Sequence, residues 1–185
     1  MLLFLLAAPV YTVLLAAQFE PDVTNGDLAY VAIELALIMI EWFADQQQWD
    51  FHGAKKEYHD SSKIREGYGK ADLDRGFITS GLWAYSRHPN FAAEQSIWFI
   101  LYQWSCFVSK TLYSSLATGP VFLVMLFQGS TWLTELITAG KYPEYRQYQR
   151  KVGMFVPTTT TPYKTAVAGP RIIRTSELAK KQKQK

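Results

Sequence analysis

Four long apolar segments, separated by two short turns and one long polar stretch, dominate the hydrophobic pattern of this chain. They cover residues 2–18, 28–44, 89–108 and 112–137, and each is about long enough to cross the hydrocarbon core of a bilayer as a helix. A fifth segment, residues 143–152, places tyrosines and basic side chains at helical spacing, which is typical of a short amphipathic helix on a membrane surface. The pattern predicts an all-α fold: a polytopic membrane helical bundle of about four transmembrane helices plus a short cytosolic amphipathic helix.

The polar stretch and the end of the chain interrupt this pattern. Residues 45–80 are charged and contain four glycines, so the second helix is expected to end by Trp49. The pair Gly119-Pro120 predicts a kink inside the fourth helix. From residue 158 onward Thr, Pro, Gly and Lys dominate, which predicts a disordered basic tail over residues 158–185 after one membrane domain of residues 1–157.

The distribution of lysine and arginine predicts the orientation in the membrane. Residues 45–89 carry seven of these side chains and the chain after Gly140 carries eleven, whereas the first turn, residues 19–27, carries none. Because cytosolic loops are enriched in Lys and Arg, the polar stretch and both termini are expected in the cytosol. The first apolar segment remains open to a second interpretation, a signal anchor.

The last residues bear on localisation. Lys181 and Lys183 lie five and three places from the end of the chain and resemble the dilysine retrieval signal of endoplasmic-reticulum membrane proteins. An ordinary basic tail has the same composition and stays the alternative. We expect a multi-pass integral membrane protein of the endoplasmic reticulum, with the lipid bilayer as its main partner.

Composition and motifs argue against several functional classes. A single cysteine, Cys106, allows neither a disulfide framework nor a zinc site, and the three histidines show no metal-ligand spacing, so no metal is expected. Residues 141–150 interleave tyrosine with Lys and Arg, but they follow a membrane helix, so we expect no nucleic acid partner and interpret them as an interfacial anchor or a lid over a cofactor pocket. The sequence contains no glycine-rich phosphate fingerprint, which argues against a classical soluble nucleotide fold.

The polar turn that opens the third helix is the first candidate site. Residues 81–94 run from a glycine through Ser-Arg-His-Pro-Asn into an apolar helix. Pro89 suits the first turn of a helix, and Asn90 and Glu94 share one helical face. Such a turn is either a cap at the membrane interface or a place where a charged cofactor meets a lipid-borne substrate.

Helix two carries the second candidate site. Glu34, Glu41 and Asp45 lie within about 20° of one stripe, and ionisable groups in a membrane helix usually face a protein interior or a wet cavity. The functional interpretation is a polar pocket that opens to the cytosol at Asp45, with Glu41 and Glu34 as candidate catalytic residues. The alternative is that these carboxylates are structural partners of arginine or of backbone groups.

Three sequence blocks together resemble a known family. They are residues 41–47 (Glu-Trp-Phe-Ala-Asp-Gln-Gln), residues 81–94, and Tyr-Pro-Glu-Tyr-Arg-Gln-Tyr at 142–148 followed by Phe-Val-Pro at 155–157. Their order and spacing resemble the membrane proteins grouped as domain of unknown function 1295. That group is similar to the C-terminal domain of steroid 5-alpha-reductases and, more remotely, to isoprenylcysteine carboxyl methyltransferases. The resemblance covers about residues 33–157.

The resemblance implies a helical membrane enzyme whose C-terminal half binds a nucleotide cofactor from the cytosol. In the reductases that cofactor is NADPH, and the residues carried over as contacts are Asp45, Asn90, Glu94 and Tyr142. In the methyltransferases the cofactor is S-adenosylmethionine, and the block Arg87-His88-Pro89 suits that reading. The predicted cofactor-binding set also contains Gln48, Arg65, Arg75, Tyr85, Tyr145 and Arg146.

These expectations define a leading function and two alternatives. The leading one is an NADPH-dependent reductase of a lipid or sterol-like enone, with arginines expected to bind the phosphates. The alternatives are a methyltransferase of a lipid or prenyl-protein carboxylate and a non-catalytic membrane protein. Thr134-Glu135 stands where methyltransferases tend to show a Glu-Glu pair, which disfavours the first alternative. Relatives usually have more spans before Glu41, so an incomplete catalytic set is part of the expectation.

Overall fold

The computed structural model describes residues 1–19, 22–158 and 161–163. The expected disordered tail therefore lies almost wholly outside the described residues. Within them, six α-helices and two short 3-10 turns follow one another. The α-helices are α1 Leu2–Phe19, α2 Asn25–Ser61, α3 Lys70–Arg75, α4 Pro89–Val108, α5 Thr118–Lys141 and α6 Tyr145–Lys151, and the 3-10 turns are Gly81–Ala84 and Ser115–Ala117. The expectation of an all-helical fold is confirmed for this part of the chain.

Helix α4 is the centre of the bundle. It packs against α1, α2 and α5, and α1 also packs against α5. Pro89 occupies its first turn, as the sequence predicts, because a proline there loses no intrahelical hydrogen bond. The polar turn before Pro89 is therefore held at the end of the most enclosed helix.

Helix α2 is longer than predicted. It starts at a capping box between Thr24 and Asp27 and continues past Trp49 to Ser61. Gly53 does not stop it, because a glycine inside a helix costs only about 1 kcal/mol. Phe51 and Ala54, on either side of Gly53, are buried in an apolar cluster, and this burial outweighs that cost.

The predicted kink at Gly119-Pro120 is wrong, because α5 begins at Thr118 and Pro120 lies in its first turn. Gly119 instead allows α5 to pack closely against α1. Pro9 inside α1 has no N–H, so the carbonyl of Leu5 loses its usual helical donor. Gly119 packs on that carbonyl so closely that a Cβ there would lie 2.5 Å from the Leu5 oxygen.

Two helical segments, Leu2–Phe19 and Ser115–Lys141, are long and apolar enough to cross a membrane by length and composition. The outer face of α2 is also rich in exposed apolar side chains over its first half. These are Leu28, Val31, Leu35, Met39 and Trp42. Exposed apolar surface of this extent marks a face that meets lipid or another protein.

Replacing Gly119 with alanine should loosen the contact between α1 and α5. The added methyl group would meet backbone rather than a movable side chain, so we expect a loss of about 1–3 kcal/mol, as for other overpacked sites. Thermal melting of the purified protein in detergent measures it. Gly129→Ala, on the same helix with nothing within 4 Å of the new Cβ, should leave the melting temperature unchanged or raise it. Equal effects of the two substitutions would contradict this packing.

Candidate functional site

The turn at residues 81–88 is fastened to α2 on one side. The Trp83 indole donates to the carbonyl of Ala44 over 3.1 Å. The Leu82 N–H donates to Oε1 of Gln47 over 2.9 Å. Gly81 has φ +62°, a left-handed conformation that favours glycine, and lies directly against the Gln47 side chain. These contacts fix the turn beside the middle of α2.

On its other side the turn is held by a buried carboxylate. Glu135 of α5 accepts two hydrogen bonds from the Arg87 guanidinium, over 2.6 and 3.0 Å, and its Oε1 lies 3.0 Å from His88 Nε2. The hydroxyl of Tyr145 and the amide of Gln149 donate to the same carboxylate. Arg87, His88 and Glu135 are only 8%, 7% and 5% exposed, so this is an interior ion pair with nearly all its atoms bonded.

The segment after α6 completes this enclosure. The N–H groups of Arg87 and His88 donate to the carbonyls of Gly153 and Met154 over 2.9 and 3.0 Å. Arg87 also donates to the carbonyl of Val152. All three guanidinium nitrogens of Arg87 therefore have hydrogen-bond partners inside the protein. Pro89 is also buried. A direct contact of Arg87, His88 or Pro89 with a cofactor stays a prediction.

Helix α6 packs inside the protein and holds the turn at residues 81–88. Tyr145, Tyr148 and Val152 share one face, as their spacing predicts, and are buried around Phe77. The Tyr148 hydroxyl donates to the carbonyl of Trp83. Burial, followed by neighbouring charge, raises the pKa of both phenols above the usual value. Both tyrosines are therefore uncharged at neutral pH, and they hold the turn through these contacts.

A continuous line of polar side chains runs along one face of α2 beside this turn. It consists of Glu41, Asp45, Gln48, His52 and Lys55, which we call the polar stripe. Their spacing of four, three, four and three residues keeps all five within about 40° of Glu41, on an arc of about 80°. Each side chain is exposed or half-buried, so the stripe faces outward over its whole length.

The N-terminus of α4 meets one end of the polar stripe. Asn90 Nδ2 donates to Asp45 Oδ1 over 2.9 Å. The carboxyl groups of Glu41 and Glu94 are neighbours where α2 packs against α4. The Trp98 indole donates to Glu94 Oε1 over 2.8 Å and orients that group.

The C-terminus of α5 meets the other end. Lys55 Nζ donates to the Tyr142 hydroxyl over 2.9 Å and to the carbonyl of Gly76 over 2.6 Å. Burial raises the pKa of the Tyr142 phenol, but hydrogen bonds and charge from Lys55 and Lys141 outweigh it, so the pKa lies below its ordinary value. Desolvation and the same two ammonium charges lower the pKa of His52.

The structure thus gathers six predicted residues at or around the polar stripe: Glu41, Asp45, Gln48, Asn90, Glu94 and Tyr142. Glu34 lies two turns deeper on α2, is 7% exposed, and its Oε1 has no hydrogen-bond partner among the described residues.

The remaining predicted residues lie elsewhere. Arg65 pairs with Glu57 and lines a cavity of about 450 Å³ with Asp50, on the opposite face of α2. Arg75 is buried and bonds to Asp72 and Thr79. In the described part of the chain, no hydrogen bond, ion pair or ring contact joins Tyr85 or Arg146 to the stripe. Cofactor contacts by these four residues stay predictions.

Sequence reasoning missed His52, Lys55 and Lys141. The signal was present, because the alternating spacing of three and four residues that relates Glu41, Asp45 and Gln48 continues to Lys55. It was hidden by the expectation that α2 ends near Trp49, which placed Lys55 in a loop.

Comparison with known proteins identifies the family. The chain belongs to the family described as protein of unknown function (DUF1295), whose sequence profile matches residues 1–152. It is 42% identical over 159 residues to an uncharacterised protein of Schizosaccharomyces pombe, a match that covers 84% of this chain and 45% of the relative. The chain thus spans less than half the length of that relative. No solved structure matches it.

Removal of the Glu135 charge should destabilise the fold. Glu135→Gln leaves the Arg87 guanidinium buried without its counter-charge, and breaking a buried pair in this way costs about 3–5 kcal/mol. Thermal or denaturant unfolding in detergent measures the loss. Glu66→Gln removes one negative charge at an exposed position and should have little effect. A variant at Glu135 as stable as the Glu66 control would contradict the assigned role.

The Tyr142 phenol should ionise at a lower pH than an ordinary tyrosine. The difference in phenolate absorbance between the protein and Tyr142→Phe isolates it from the other ten tyrosines. Lys55→Met should raise the pKa of the Tyr142 phenol, because it removes one of the two positive charges that lower this pKa, while the opposite effect of burial remains. Since the folded-state pKa is lowered, the resulting stability appears only at alkaline pH and is lost as pH falls through that pKa. An unchanged titration midpoint in Lys55→Met would contradict the contact between Lys55 and Tyr142.

Proposed function

We propose that this protein is a membrane-embedded, NADPH-dependent reductase of an activated double bond in a lipid or sterol-like enone. The observation that carries the proposal is the polar stripe, with carboxyl groups at one end and ammonium groups at the other. The resemblance to steroid 5-alpha-reductases rests on three sequence blocks, and all three contribute to the stripe or its surroundings, the third through Tyr142.

The membrane arrangement belongs to the same proposal. We assign four spans, namely α1, the first half of α2, α4 and α5. The first half of α2 exposes apolar side chains, as the candidate spans α1 and α5 do. The seven Lys and Arg side chains of residues 45–89 then face the cytosol. The Lys55 end of the stripe lies at that side, and its Glu41 end enters the membrane. An endoplasmic-reticulum location is also part of this proposal.

The length of the stripe favours a dinucleotide. Glu41 and Lys55 are fourteen residues apart on one continuous helix, which corresponds to about 21 Å. A dinucleotide in an extended conformation can follow such a line, whereas S-adenosylmethionine is much shorter and has no phosphate for the ammonium end. The donor and acceptor groups also fit: Asp45 and Asn90 can bind ribose hydroxyls, and Lys55 a phosphate.

The membrane end of the stripe is the proposed reaction centre. NADPH bound there would supply the hydride that adds to the β-carbon of the enone. The chain itself must provide the proton that adds next to the carbonyl. The carboxyl groups of Glu41 and Glu94 are neighbours close to the exposed apolar face of α2, and Glu34 lies two turns deeper. We assign Glu41 as the proton donor, oriented through Glu94 and Trp98.

One observation favours the methyltransferase alternative. The sulfonium of S-adenosylmethionine is a cation, and the paired carboxyl groups of Glu41 and Glu94 suit a positive charge. That pair occupies only one end of the stripe, however, and leaves the ammonium groups at Lys55 without a ligand. The alternative therefore explains less of the same surface.

Ligand-induced stabilisation distinguishes the two cofactors. A ligand that binds only the folded protein at 100 times its Kd adds about 2.7 kcal/mol of apparent stability, so NADPH should raise the melting temperature of the purified protein and S-adenosylmethionine should not. Asp45→Ala should reduce the NADPH effect. Asp50→Ala is the matched control, since Asp50 lies about 180° from Glu41 on α2 and should leave the effect intact.

Transfer of deuterium from position 4 of labelled NADPH into an enone lipid then tests the chemistry. Label in the reduced product supports the reductase. Stabilisation by S-adenosylmethionine alone would replace it with a methyltransferase, and stabilisation by neither would point to a non-catalytic protein.

A further inference from the structure

Two ammonium groups converge on one phenol at the cytosolic end of the polar stripe. Lys55 Nζ donates to the Tyr142 hydroxyl over 2.9 Å. Lys55 and Lys141 both lie over the Tyr142 ring, with Nζ 5.1 and 5.2 Å from its centroid. An anion beside the Tyr142 ring would be attracted by both positive charges.

No carboxylate in the described part of the chain supplies that anion. Within residues 1–19, 22–158 and 161–163, neither Lys55 nor Lys141 forms a salt bridge. The carboxylates of the neighbouring segments have other partners: Glu57 pairs with Lys63 and Arg65, and Glu144 lies 3.9 Å from Arg75. The positive charge around Tyr142 is therefore not compensated by the carboxylates of the described residues.

The groups that would meet an anion are held in place before it arrives. Lys55 is fixed by its second hydrogen bond, to the carbonyl of Gly76 over 2.6 Å. Gly76 has φ +84°, and a Cβ there would lie within 2.4 Å of the Tyr142 ring, so ring and backbone are in direct contact. Phe77 packs on the same ring. Preorganised donors of this kind lose little entropy on binding.

We propose that Lys55, Lys141 and the Tyr142 hydroxyl form a binding site for a phosphate monoester. The ammonium groups supply charge and N–H donors, and the phenol supplies an O–H donor. On the proposed function, the monoester is the 2′-phosphate of NADPH, because it lies at the end of the dinucleotide opposite the reacting ring. That identity rests on the proposed function, whereas the site itself rests on the cluster alone. Phosphatidic acid in the cytosolic leaflet is the other source of the same group.

The position of the cluster makes it better placed than the arginines for this role. Arg75 is buried in its own contacts, and Arg65 lies on the opposite face of α2. Selectivity for NADPH over NADH should therefore depend on lysines and a tyrosine.

Titration calorimetry of the full chain with NADPH and with NADH tests this assignment. Lys55→Met and Tyr142→Phe should lower the preference for NADPH over NADH by about tenfold, since one lost charge-assisted hydrogen bond has that effect. Lys56→Met removes the same charge from an exposed neighbour and should leave the preference unchanged. Melting curves in the absence of nucleotide check that each variant is folded, and Tyr142→Phe keeps the contact between Lys55 and Gly76.

A second measurement separates the two sources of phosphate. Flotation with vesicles of phosphatidylcholine, with or without phosphatidic acid, should show no dependence on Lys55 if the nucleotide is the ligand. If nucleotides do not bind but phosphatidic acid does so in a Lys55-dependent way, the site stands and the proposed function fails. If NADPH binds with unchanged selectivity in both variants and phosphatidic acid binding is also unchanged, the site is overturned while the proposed function survives.

Discussion

The buried carboxylate of Glu135 is the contact on which the rest of the site depends. It neutralises Arg87 in the interior and draws His88, Tyr145 and Gln149 to the same point. Only one residue, His88, lies between Arg87 and the start of α4 at Pro89, so this interior contact also fixes where α4 begins. Asn90, in the first turn of α4, can reach Asp45 only because the turn before it is held from the opposite side. Part of the outward geometry of the polar stripe is thus set by an ion pair in the interior of the protein.

Helix α2 joins two different environments along its length. Its first half presents apolar side chains outward, and its second half carries the polar stripe, with the change falling between Glu41 and Asp45. Two neighbouring carboxyl groups at that boundary, Glu41 and Glu94, are costly in hydrocarbon and are typical of a functional site. A soluble cofactor and a substrate dissolved in the membrane could meet at this boundary without either leaving its preferred environment, which is the physical basis of the proposed function.

The sequence predicts the fold better than the site. The apolar segments mark α1, α4 and the start of α2 to within a few residues, because burial and membrane contact select apolar side chains at regular spacing, whereas α5 begins six residues later than predicted. The extension of α2 beyond Trp49 could not be predicted from local signals, since tertiary burial of Phe51 outweighs the glycine that follows. The inward direction of Arg87 was equally hidden, because an arginine in a polar turn has the same local sequence whether it binds Glu135 or a cofactor. Helical spacing predicted the carboxyl end of the polar stripe, but the same spacing was not followed to Lys55 because α2 was expected to end near Trp49.

An experimental structure of the protein with NADPH bound in a membrane mimetic tests the central claim most directly. The account predicts a dinucleotide that lies along α2 from Glu41 to Lys55, with its adenosine phosphate beside Tyr142 and its nicotinamide beside Glu94. Nucleotide in the cavity of Arg65 and Asp50 on the opposite face of α2, or an empty stripe at saturating NADPH, would contradict it.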